Sequence, residues 1–222
     1  MTLRPVYRST SWLRPLAVAL FALTLAGCSI LSDKPSERST TYIVDPRVQP
    51  DPSWPTANWQ LSLSSPEASR AIDSLRIAVR PVPNEIQSYK GARWARLPSG
   101  MLEDTVLRAL EDSGRIGTVA RQGTGVGAQY KLVMEVRRFE SDYAGTTSPT
   151  VVVEVAAKLL HNQDQQIVSA RTFVQKQAPA STSVPDVVEA FDQALGAIGR
   201  DITGWTLTSG NAHEASHGTA TR

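Results

Sequence analysis

The sequence predicts an α+β domain: a single antiparallel β-sheet with two main helices packed on one face. Three observations carry that expectation. Between residues 130 and 176, three long runs alternate apolar with polar side chains, the period-two pattern of strands covered on one face. From Ser99 to Gly114, Leu102, Val106, Ala109 and Leu110 recur at helical spacing. After Ser183, the residues Val184, Val188, Phe191, Leu195, Ile198, Ile202 and Trp205 follow one another at intervals of four and three, which draws one continuous apolar seam on a helix.

In chain order, Tyr42-Ile43-Val44 opens the folded part. Prolines 46, 50, 52 and 55 hold the next stretch extended or turning, with Trp54 and Trp59 within it, ahead of a strand over 60–64. Leu75, Ile77 and Val79 mark a strand stopped by Pro81 and Pro83. Residues 88–96 read as an irregular, extended lead into the first helix. Ser99 is the predicted N-cap of that helix, Glu103 and Asp104 lie near its positive end, and Gly114 suits the C′ position. The long strands are Tyr130–Glu140, Thr150–His161 and Ile167–Lys176. In the first, Leu132, Met134 and Val136 alternate with Lys131, Glu135 and Arg137. In the third, Val168, Ala170, Thr172 and Val174 alternate with Ser169, Arg171 and Gln175. The short link 162–166 makes the last two strands a hairpin.

The glycine-rich stretch 123–128 reads as a turn, since it lacks the strand, helix and acidic partner of a dinucleotide site. Asp186 takes the capping-box position at the start of the last helix. The seam of that helix is expected to pack on the sheet, with a coiled-coil partner as the alternative. From Ser209 onward the chain is polar and reads as a disordered tail.

The amino-terminal residues carry a different message. Arg4, Arg8 and Arg14 precede an uncharged apolar run, Leu16 to Ala26, which ends in Leu25-Ala26-Gly27-Cys28. The layout is that of a signal peptide and is short for a transmembrane span. The last four residues resemble the bacterial lipobox, which implies cleavage before Cys28 and lipid on its thiol. Cys28 is the only cysteine, so it has no disulfide partner within the chain, and lipidation gives it a use. Removing the three leader arginines leaves 20 of the 23 Lys and Arg against all 21 Asp and Glu. A near-neutral mature chain gives no global electrostatic case for binding nucleic acid.

The sequence gives no positive sign of an enzyme, of a cofactor or of a metal centre. His161 falls at a strand end. His213-Glu214-Ala215-Ser216-His217 fits the zincin pattern H-E-x-x-H, but the chemistry requires a helix, a third ligand and a buried surround. In a polar tail the match reads as chance. Glu103-Asp104 and Glu111-Asp112 are adjacent in sequence and do not converge on one point.

Taken together, the lipobox, a tether, Tyr42-Ile43-Val44, a strand ending in Pro81-Val82-Pro83, the stretch Tyr89 to Leu110 with Arg93-Trp94 and Pro98, long strands and a final amphipathic helix resemble the ABC-type transport auxiliary lipoproteins of the paraquat-inducible protein C kind. The resemblance spans roughly residues 41–207. It implies a non-enzymatic periplasmic subunit that works with an MCE-domain substrate-binding protein and its ABC permease and ATPase, moving lipid between membranes and supporting envelope integrity. The tail and the insert bearing Trp54 and Trp59 depart from the pattern.

The expected organisation is a cleaved signal peptide over 1–27, a lipidated tether over 28–41, the auxiliary lipoprotein domain over 42–207 and a tail over 208–222. Ser29 after the acylated cysteine favours the outer membrane, with the inner membrane left open, as is a homo-oligomer. Tyr89, Arg93, Trp94 and Arg96 form the candidate partner-binding surface, being of the types enriched in binding hot spots. The alternative for Trp94 is a plug in the core under the first helix. Two other functions remain to be separated from transport: a structural or assembly lipoprotein of an outer-membrane complex, and a zinc hydrolase using His213 and His217.

Overall fold

A computed structural model describes residues 39–125 and 127–220, so Cys28, the leader and most of the predicted tether lie outside the described residues. Nine strands and two helices follow in order: β1 (Thr40–Tyr42), β2 (Ala57–Leu63), β3 (Glu67–Ala68), β4 (Arg76–Arg80), β5 (Gln87–Trp94), α1 (Pro98–Asp112), β6 (Ile116–Arg121), β7 (Tyr130–Asp142), β8 (Thr150–His161), β9 (Gln166–Gln177) and α2 (Val184–Ala220). This is the predicted α+β domain.

The sheet is organised on β7. One edge of this strand pairs antiparallel with β8, which pairs antiparallel with β9. Its other edge takes β2, β3 and β4 in turn, all parallel. Strand β2 carries β6 in parallel, and β4 carries β5 antiparallel, with β1 parallel on the outside of β5. The sheet is therefore mixed, not antiparallel throughout. Side-chain alternation reports which face is covered and is silent on the direction of the neighbouring strand.

Bulges adjust the faces. In β9 the expected inward set fails, because a register shift at Leu159/Leu160 of β8 changes the parity. Phe173 is buried, while Val174 is 46 % exposed. Phe173 meets Trp205 of α2 edge-on at 5.6 Å.

Helix α1 starts one residue earlier than its expected cap. Leu97 is the N-cap residue and Pro98 takes the first turn, where its missing N–H costs nothing. Ser99 instead gives its N–H and hydroxyl to the Asp73 carboxylate, each at 3.0 Å. Gly114 does follow the helix at φ 60°. The seam of α2 packs inward as expected, with Phe191, Leu195, Ile198 and Ile202 fully buried.

The expected disordered tail is corrected, because α2 continues to Ala220. Its last turns have no apolar face of their own, and the tryptophan insert supplies one. A Cβ at Gly204 would come within 2.6 Å of the Trp54 indole, and one at Gly210 within 2.2 Å of the Trp59 indole. Both tryptophans are buried. The Trp59 Nε1–H also donates to Asn211 Oδ1 at 2.8 Å, and Asn211 donates to the Thr56 carbonyl at 2.8 Å. Arg200 is paired with Asp51 at 2.7 Å, which holds that carboxyl well below its ordinary range.

At the carboxyl end of β7, Glu140 is completely buried and carries two guanidinium groups. Arg80 binds it through both oxygens at 2.9 and 3.0 Å, and Arg138 binds it at 2.8 Å. Glu140→Gln leaves Arg80 without its carboxylate, while Arg138 keeps Asp142 at 2.6 Å, and should cost roughly 3 kcal/mol in denaturant unfolding. Gly210→Ala improves helix propensity but drives a methyl into Trp59. It should lose about 1–2 kcal/mol net in the same assay.

Candidate functional site

The predicted partner-binding residues all lie on or next to β5, an extended strand that keeps the irregularity expected from its sequence: its pairing with β4 jumps from Arg76–Arg93 to Ala78–Ser88, with Gly91 at φ 65° between. Alternation then decides which of them a partner can reach. Ala92 and Trp94 point inward and are buried, whereas Lys90, Arg93, Ala95 and Arg96 are exposed. Trp94, 1 % exposed, meets Phe191 of α2 edge-on at 5.2 Å and Phe139 of β7 at 6.0 Å, and those two phenylalanines stack at 4.7 Å. It is removed from the contact surface as a correction: its ring is the centre of the core, and its Nε1 has no hydrogen-bond partner among the described residues. Tyr89 is half-committed as well. Its hydroxyl bonds Ser141 Oγ at 2.9 Å, and burial pushes its pKa up.

Arg93 and Arg96 remain as reachable cations. Arg93 makes no ion pair among the described residues, and its cross-strand neighbour on β4 is Arg76, also exposed. Arg96 reaches across to Asp104 of α1 while staying 58 % exposed. A surface groove of about 420 Å³ adjoins this face, lined by Arg70, Arg76, Ile86, Gln87 and Ser88 among others. Ile43, just past β1, and Leu97, just past β5, are exposed aliphatics at the same end of two parallel strands. Sequence reasoning missed Arg76, Ile43 and Leu97, since only the pairing of β1, β5 and β4 brings them to the Arg93 end of the sheet, and it missed Arg70, which lines the groove with Arg76.

A second cluster gathers at the opposite end of β7. Tyr130 and His161 are cross-strand partners, and α2 brings His213 and Glu214 to them. The ring centroids lie 5.2 Å apart for Tyr130 and His161, 5.0 Å for His161 and His213, and 5.7 Å for Tyr130 and His213. The Tyr130 hydroxyl contacts His213 Nδ1 and Glu214 Oε1, both at 2.7 Å. Burial and the nearby carboxylate raise its pKa, so it stays protonated at neutral pH. The H-E-x-x-H pattern was read as chance because its segment was expected to be unstructured; that premise does not hold. Of the pattern, His213 and Glu214 join the cluster.

Trp94→Ala should lower unfolding free energy by roughly 3–5 kcal/mol, and Trp94→Phe, which keeps most of the ring and loses only an unbonded N–H, by much less. Arg93→Glu should stay within about 0.5 kcal/mol of the parent, as a surface change does.

Crystallised protein XCC0632 from Xanthomonas campestris, of the DUF330 family, is 47 % identical, with a TM-score of 0.77 over 80 % of this chain and 99 % of that one. A second crystal structure, described only as an uncharacterized protein, shares the fold at 15 % identity and a TM-score of 0.57, covering 74 % of this chain and 96 % of its own. No curated protein matches the chain. The family model for the ABC-type transport auxiliary lipoprotein component matches residues 43–203, which take in α1, the first twenty residues of α2 and every strand from β2 to β9, and the chain belongs to that family.

Proposed function

We propose that this protein is a non-enzymatic accessory subunit of an ABC transporter whose substrate-binding subunit carries MCE domains, moving lipid between the inner and outer membranes and so supporting envelope integrity. The observation that carries the reading is the family match over 43–203. The protein acts by binding, through the cationic face of β4 and β5. Arg76, Arg93 and Arg96 there meet an acidic surface on the partner, and Ile43 and Leu97 supply apolar contact beside them. Complementary charge of this kind sets encounter rate and specificity more than raw affinity.

No helix among the described residues is long and apolar enough to cross a membrane. The proposed attachment is lipid on Cys28, in the outer membrane and facing the periplasm. Two or more acyl chains hold a protein firmly where one holds it marginally.

The test is co-purification from intact envelopes. The full-length protein, cross-linked in its own cells, should recover the MCE-domain protein and the permease. The Arg76→Glu, Arg93→Glu double variant should lose them with its melting temperature nearly unchanged. Cys28→Ala should leave the membrane fraction and fail to restore detergent resistance in a deletion strain. Recovery of neither transporter protein, in a genome where no such genes adjoin this one, sinks the proposal.

A further inference from the structure

Three elements distant in sequence meet at the amino end of β7. His161 closes β8, Asp164 lies in the turn to β9, and His213 arrives on α2. One ligand atom from each lies within 4.8 Å of the other two. Ligands held at about 2.1 Å from a shared tetrahedral ion stand roughly 3.4 Å apart, so side-chain movements of about an ångström would close this set on one ion.

The hydrogen bonds at Tyr130 set the proton on His213. Glu214 as a carboxylate can only accept, so the Tyr130 hydroxyl donates to it. With that single hydrogen committed, the contact between Tyr130 Oη and His213 Nδ1 requires the Nδ1–H to donate. A neutral His213 therefore carries its lone pair on Nε2. His161 Nδ1 lies 3.1 Å from Asp164 Oδ1, and Asp164 is held in place by the Gln166 N–H at 3.1 Å. A bond from the second imidazole nitrogen is what fixes the tautomer of a metal-binding histidine; Tyr130 supplies it to His213, while Asp164, a ligand itself, would exchange its bond to His161 for the ion.

We infer that His161, Asp164 and His213 form a binding site for a divalent transition-metal ion of the zinc class, which staples the last turns of α2 to the β8–β9 turn. Two imidazoles and one carboxylate suit zinc and disfavour magnesium or calcium, which take all-oxygen sets. The role is structural. In a zincin, the glutamate of H-E-x-x-H serves a metal-bound water, whereas Glu214 here is spent on Tyr130. The inference stands apart from the transport role and does not depend on it.

The experiment uses the full chain in detergent, stripped with chelator and titrated with zinc chloride by calorimetry near pH 7.5, with magnesium chloride as control. One equivalent of zinc should bind saturably, with a rise in melting temperature of roughly 5 °C or more, and magnesium should do neither. His161→Ala and His213→Ala should weaken zinc binding by about a hundredfold, and Tyr130→Phe by about tenfold or more. Asp164→Asn, in an exposed turn, keeps the fold testable should a histidine variant unfold, and it should also lose at least about tenfold. Absence of saturable zinc binding overturns the site. So does binding that Asp164→Asn and the folded histidine variants retain unchanged.

Discussion

The backbone of β7 is the constraint on which the rest of this domain depends. The strands on its parallel edge are too short to persist alone: β3 has two residues, and β2 and β4 meet β7 over three and two positions. They hold because one strand of thirteen residues offers a continuous row of donors and acceptors, while β8 satisfies its other edge. A bulge between Val136 and Arg138 then changes which residues face the helices. Before it, Leu132, Met134 and Val136 point inward; after it, Phe139 does, and it stacks on Phe191. The shift also leaves Glu140 to be neutralised by Arg80 and Arg138, which ties β4 to the carboxyl end of the strand.

The features legible in the sequence were those written locally. Alternation in β7 and β8 and the seam of α2 are properties of neighbouring residues, so they survive without knowledge of the partner. The parallel edge was illegible because two or three residues of pairing leave no periodic trace. Trp94 shows the boundary between the two. Its place beside Arg93 made it look like a contact residue, and the stretch after Gly91 that turns Ala92 and Trp94 to one side and Arg93 to the other depends on register with β1 and β4.

The carboxyl-terminal turns of α2 teach the complementary lesson. Taken alone, a run of Gly, Ser, Thr, Ala and His has neither helix propensity nor an apolar face, and disorder was the sound local inference. The helix forms because small residues let the two indoles of the 54–59 segment lie against its backbone. Each glycine costs about 1 kcal/mol of helix stability, and burial of an aromatic ring offsets it. The tryptophan segment and the last turns of α2 are thus two halves of one contact.

The cationic face and the histidine cluster fall at different ends of the domain. Arg76 lies three residues before Val79, which pairs with Ser141, so it sits level with about residue 138 of β7, roughly 25 Å along the strand from Tyr130. Substitutions at one site should leave the other undisturbed, as separations beyond about 10 Å usually do. Only the cationic face lies beside β1, where the chain enters the sheet. Twelve residues from Cys28 to Thr40 span at most about 40 Å when fully extended. With lipid on Cys28, as proposed above, that length would bound the distance between Thr40 and the bilayer surface, so of the two sites the cationic face is the one whose reach the anchor would limit most directly.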